Sequence, residues 1–134
     1  LTGMKVKHNW NRFVEVVSIQ EFAQMDVALS TPDRAGFYTE CVSVLIPSQI
    51  GTVIIMHIAK GEDGYHIAKE YETKTGGCIN RPGRSSKAYL NKTDAFRAGL
   101  KSLEKEQYVA FSKKYSDQAR EMYFDAIHKQ LTLF

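Results

Sequence analysis

The sequence is poor in the residues that mark fibrous, disordered or cross-linked proteins. Three prolines and nine glycines among 134 residues are too few for a collagenous, proline-rich or linker-like chain. The two cysteines, Cys41 and Cys78, form no CxxC pair, and no Cys/His cluster has zinc spacing. A disulfide framework and a structural zinc site are thereby excluded, and two reduced thiols in a cytoplasmic protein are the expectation; a single disulfide between them is the alternative. The longest uncharged apolar stretch, residues 42–59, is broken by Ser43, the Pro47–Gly51 turn and His57. It is too polar to cross a membrane, so no membrane partner is expected. No signal-peptide core opens the chain; Leu1–Gly3 read as a vector remnant ahead of a natural start at Met4, leaving one domain over 4–134.

Chemical signatures are equally sparse. The Gly-rich run between Lys74 and Lys87 lacks the Gly-Lys-Ser/Thr ending of a P-loop, so nucleotide hydrolysis is not supported. Glu70 and Glu72 share a strand face with His66 but have no identifiable partner carboxylate, and alternating charge on an exposed strand is the ordinary explanation. His57 and His66 come near one another if a hairpin closes at Glu62-Asp63. They would then either pack on the sheet or form a metal or proton-transfer pair. No catalytic residue, cofactor or metal is expected, and the chain is read as a non-enzyme.

What the chain does have is a folded-protein composition, 43% hydrophobic and 25% charged, and clear periodicities. Phe13–Ile19 is β-branched and runs into a capping-box pattern, Ser18 with Glu21, that starts a short helix through Met25. Residues 30–36 are a loop by their turn chemistry. Strands are expected at Tyr38–Ile46, Thr52–Lys60 and Tyr65–Glu72, the second central because it is apolar on both faces. Gly61–Gly64 is a hairpin loop, Thr73–Ser86 a long loop, and Ser86–Leu90 a fourth short strand.

The period then changes. Thr93 is expected to cap a helix over residues 94–106, whose apolar stripe is Phe96, Leu100 and Leu103, with Gly99 present for close approach to the sheet. Tyr108–Leu131 reads as a second helix with Ser116 as a cap. Its faces are Tyr115, Ala119, Met122 and Ala126 on one side and Phe124, Ile127 and Leu131 on the other. The fold class is therefore α+β: an antiparallel β-meander of three to five strands followed by two C-terminal helices packed on one face. Tyr65 and Tyr71 would then be core, with the opposite face, carrying His66, Lys69 or Glu70, open to solvent or a partner.

Charge is uneven. The whole chain carries +3, but residues 73–105 alone carry +6, with eight basic side chains against two acidic. Such clustering is the footprint of a polyanion partner or, alternatively, a basic face balanced by acidic strands nearby. The candidate nucleic-acid contacts are Lys74, Arg81, Arg84 and Lys87 on the loop, and Lys92, Arg97 and Lys101 leading into and along the first C-terminal helix, where Arg97, Lys101 and Lys105 recur every four residues.

Gly64–Ile67, the loop with Arg81 and Arg84, and the run from Ser86 to Leu100 together resemble three-stranded-sheet DNA-reading domains, over about residues 51–105. The arm-site-binding domains of tyrosine integrases and plant ethylene-responsive factor domains have this shape; so do small uncharacterised proteins of plasmids, phages and conjugative elements. A double-stranded RNA-binding domain is a second analogue, through Ser85-Ser86-Lys87 ahead of a helix with Ala95 and Leu100, although the spacing from Lys87 to Ala95 exceeds that family's. The resemblance implies that the exposed face of the strands at 52–60 and 64–72 enters a groove. Two functions stay open. One is a non-enzymatic nucleic-acid-binding or nucleic-acid-associated accessory protein of a mobile element, DNA favoured over RNA. The other is an inhibitor, immunity or conjugation module that binds an acidic protein, with a homodimer through the 108–131 helix.

Overall fold

The computed structural model describes residues 4–7, 13–78, 80–106 and 111–132. Strands β1 (Met4–Lys7) and β2 (Phe13–Val16) form an antiparallel pair. Helix α1 (Ile19–Gln24) follows directly, and Ser18 is its N-cap, its hydroxyl accepting from the Glu21 amide at 3.1 Å. The strand-to-helix switch expected over 13–25 is thus observed, and the local capping chemistry explains it.

β3 (Val42–Ile46), β4 (Val53–Gly61), β5 (Gly64–Thr73) and β6 (Gly76–Cys78) make a four-stranded antiparallel sheet in sequential order. The β4–β5 hairpin closes on Gly61 opposite Gly64 with Glu62-Asp63 at its tip, as the turn chemistry requires. Gly64 has φ +134, and a Cβ there would sit 2.5 Å from the Tyr89 carbonyl oxygen. Only glycine permits this approach, which Tyr65 and Tyr89 complete by exchanging two backbone hydrogen bonds of 2.8 Å.

The fourth strand is therefore β6 rather than Ser86–Leu90, of which Tyr89 alone bridges to β5. β3 begins at Val42, four residues later than expected; Tyr38 instead bridges Pro32, and its amide donates to the Pro82 carbonyl at 2.9 Å.

Helices α2 (Lys92–Glu104) and α3 (Lys113–Thr132) complete the α+β fold. The cap of α2 is Asn91, whose side chain accepts from the Asp94 amide at 2.8 Å. Thr93, expected in that role, lies within the helix and shares a 2.9 Å hydrogen bond with the Tyr123 hydroxyl. α3 starts ahead of Ser116, which is buried and donates to Glu104 at 3.0 Å, tying α3 to α2. The expected residues 108–110 of that helix lie outside the described residues, as do Leu1–Gly3.

One sheet face carries Val44, Ile46, Ile54, Met56, Ile58, Ile67 and Tyr71 and packs with all three helices, as expected for Tyr65 and Tyr71. Phe22, Phe96 and Tyr123 meet at its centre, with ring centroids 4.7–5.9 Å apart. Gly99 lets α2 approach: a Cβ would meet the Met56 thioether at 2.5–2.6 Å. The apolar side of α3 is used inside the chain, since Ala119, Tyr123 and Ala126 are buried in this core. Of the adjoining face, Ile127 packs partly against the core, Phe124 is exposed, and the Leu131 side chain lies outside the described residues. Among the described residues no helix is long and apolar enough to cross a membrane.

Candidate functional site

The second sheet face is where the sequence expectation fails. It was to be open, yet His57, His66, Glu70 and Glu72 on it are all buried. Val16 of β2 packs on it with Leu45, Val53 and Ile55. The Tyr38 ring lies tilted against His66 with centroids 5.0 Å apart, and Pro82 and Gly83 are buried beside the same loop. Segments far from the sheet in sequence thus fold over a polar face, and burial obliges each polar group to find a partner.

His57 and His66 are not side by side. His57 pairs with Ala68 and His66 with Ala59, so they sit diagonally on one face and each has its own carboxylate. A ladder crosses three strands at His57. Its Nε2 lies 2.9 Å from Glu70 Oε1 on β5 and its Nδ1 lies 2.7 Å from Ser43 Oγ on β3, with Cys41 Sγ at 4.0 Å on the same side. Ser43 and His57 are register partners, which fixes this geometry on two rigid strands. Burial opposes charge on the ring, and the contacts with Cys41 and Glu70 outweigh it, raising the His57 pKa from 6.5 to about 9. At neutral pH His57 is an imidazolium that donates from both nitrogens. It acts there as a fixed cation, not as a base for Ser43.

His66 makes a similar set of contacts. Asp63 Oδ1 is 2.8 Å from Nε2 and Ser86 Oγ is 3.0 Å from Nδ1. The single Ser86 proton goes to the Gly83 carbonyl at 2.6 Å, so this hydroxyl has none to give the ring. The hydrogen bond from His66 holds the Asp63 carboxyl below the usual range, and burial together with that carboxylate pushes the Tyr38 hydroxyl up. The cluster ties the β4–β5 turn to the 80–89 loop. Among the described residues no group of three or more ligating side chains suits a metal.

The basic residues divide. Lys92 is committed to structure: its Nζ donates to the Phe22, Ala23 and Met25 carbonyls at 2.7–3.1 Å and lies 5.0 Å from the Phe22 ring. It closes the C-terminus of α1, where a cation suits the helix dipole, and burial lowers its pKa. Its ammonium thus already has three carbonyl partners where the sequence expectation placed a phosphate. Lys74 follows the far end of β5, while Lys87 lies 5.2 Å from the Tyr89 ring, which pairs at the near end. At ~3.3 Å per residue those ends are roughly 30 Å apart, so Lys74 stands away from the others.

Arg81 and Arg84 fold against the turn at 33–37. The Arg84 amide donates to the Gly36 carbonyl at 2.8 Å; Arg81 reaches Tyr38 O at 3.4 Å and Asp33 at 3.7 Å and covers the Phe37 ring at 5.4 Å. Arg81 also lines a cleft of about 260 Å³ between β5 and α2, with Met56, Ile67 and Gly99 among its lining and Lys69, Asn80 and Ser102 as polar groups. Arg97 and Lys101 are exposed on the outer side of α2, Arg97 lying 6.0 Å from the exposed Phe124 ring.

No protein-family model, curated protein or solved structure matches the chain.

Function therefore rests on geometry alone. Sequence reading singled out His57, His66 and Glu70 but missed Ser43 and Cys41 as partners of His57. Their alternation at 41 and 43 was a signal, but only the β3–β4 register turns it into a contact.

Proposed function

We propose that this chain is a non-enzymatic nucleic-acid-binding protein that contacts phosphates through Arg81, Arg84 and Lys87 of the loop and Arg97 and Lys101 of α2, with DNA favoured over RNA. The observation that carries the reading is the cleft between β5 and α2. It sets Arg81 beside Gly99 and Ser102 of α2, so one loop cation stands next to the helix that carries Arg97 and Lys101 on its outer side. Guanidinium groups suit phosphate oxygens because their donors fork in one plane. The exposed rings of Phe37 and Phe124, each under an arginine, supply faces on which an unpaired base can stack.

Fluorescence anisotropy with generic single- and double-stranded DNA and RNA over a salt series tests this. Saturable binding that weakens steeply with salt is expected, and each lost phosphate contact should reduce the log–log slope on duplex DNA by about 0.9. An Arg81→Ala/Arg84→Ala double variant with an unchanged slope, or no binding at low salt, overturns it and shifts weight to an acidic protein partner.

A further inference from the structure

The outer edge of β5 is bare over its middle. Tyr65 exchanges both its backbone bonds with Tyr89, at 2.8 Å each, and Tyr71 is the register partner of Cys78 on β6. Bonding direction alternates along an antiparallel strand, so Ile67 and Lys69, like Tyr65, turn their N–H and C=O groups away from β4. Among the described residues neither has a strand partner on that side, and neither backbone bonds to a loop. The cleft of about 260 Å³ opens at this gap, lined by Ile67, Ala68 and Lys69 in succession. Successive side chains point to opposite faces of a sheet, so a cavity that touches three in a row meets the strand edge-on. Met56 and Gly99 make its apolar wall. The Lys69 ammonium is already held by Ser102 at 2.7 Å and Glu106 at 3.0 Å. The Arg81 guanidinium is about half exposed and reaches Tyr38 O at 3.4 Å and Asp33 at 3.7 Å, long contacts that leave most of its N–H donors for a ligand.

We infer that this cleft is a nucleobase site, taking one unpaired base with an amino group beside an acceptor ring nitrogen, the edge of adenine. The amino group donates to the Ile67 carbonyl, and the ring nitrogen accepts from the Lys69 amide. The ring lies against Met56, Ile67 and Gly99, and Arg81 meets the attached phosphate. Half-buried backbone groups without a protein partner favour a ligand that pairs with them and disfavour one that covers them without pairing. The volume lies just below the roughly 300 Å³ at which clefts begin to hold drug-sized ligands, which suits one ring system and not a base pair. An extended peptide also pairs with a strand edge. Here, however, the lane beside β5 is filled at both ends, by Tyr89 and by Cys78, roughly 20 Å apart. An added strand would run into one or the other, whereas a ring enters sideways. The inference rests on the nucleic-acid reading for the role of Arg81. A free adenine nucleotide and an unpaired adenine in a strand present the same chemistry.

The test titrates the intact protein with adenosine monophosphate and follows the backbone amides by NMR. Saturable shifts should centre on the Ile67 and Lys69 amides. The analogue whose amino group is replaced by dimethylamino, which has no N–H to give, should bind about tenfold more weakly or worse. Ribose phosphate, which has no base, should leave both amides unmoved. No saturable shift at these amides with millimolar nucleotide overturns the inference, as does equal affinity for the dimethylamino analogue. A second arm compares a single strand of adenines with a strand of the same length made of abasic sites. Shifts at the same two amides at lower concentration with the adenine strand than with the mononucleotide support the site and identify a strand as the source. Shifts with the mononucleotide alone support the site, identify a free nucleotide as the source and count against the nucleic-acid reading. An abasic strand that binds as tightly as the adenine strand, with the mononucleotide inert, overturns the base site and leaves the phosphate contacts standing.

Discussion

His57 and Glu70 meet at 2.9 Å on adjacent strands, diagonal in register, with side chains 7% and 0% exposed. A charged pair so placed is costly to separate, because removing one partner strands the other charge out of water.

Stability should therefore depend on pH through His57. Its folded-state pKa, about 9, exceeds the ordinary 6.5. The contribution is fully present below the unfolded value and is lost as pH rises through the folded one. The difference corresponds to about 3 kcal/mol. Urea unfolding of the native protein should show this fall between the two values, and Glu70→Gln should be less stable at the lower pH and show a smaller fall across the window, the Cys41 contact remaining.

Lys92→Met should destabilise the protein by about 1–3 kcal/mol, because three carbonyls of α1 lose their donor. Thermal unfolding measures the loss. The salt slope of nucleic-acid binding should stay at its native value, which separates Lys92 from the arginines of the loop.

Gly64→Ala should cost about 2 kcal/mol or more, from a backbone angle that disfavours side chains and from contact with the Tyr89 carbonyl. Calorimetry reads the total. Hydrogen exchange should show the Tyr65 and Tyr89 amides losing protection first, as both bond across this approach.

Thr93→Val replaces the hydroxyl that faces Tyr123. Burial already raises the Tyr123 pKa, and the Thr93 hydrogen bond works in the opposite direction. The variant should raise the phenol's titration further and lower stability by about 1–2 kcal/mol, seen respectively by ultraviolet pH titration and by urea unfolding.

The sequence alone determined what local chemistry controls. Ser18 with Glu21 starts α1 because a hydroxyl and an amide three residues apart must meet at a helix N-terminus. Gly61–Gly64 closes β4 on β5 because only such residues tolerate the turn. Gly99, placed on the apolar stripe of α2, announced a close helix–sheet contact. Tertiary structure decided the rest. Alternation along β5 separates Tyr65, Ile67 and Tyr71 from His66, Glu70 and Glu72, but it does not say that Val16, Tyr38 and Pro82 come from elsewhere in the chain to cover the polar side. Clustering in sequence likewise put Lys92 with the other cations, although its ammonium reaches the end of a helix some seventy residues earlier. In both cases the deciding quantity is the cost of leaving a polar group buried without a partner. That cost depends on which distant segments close over it, and no local pattern records them.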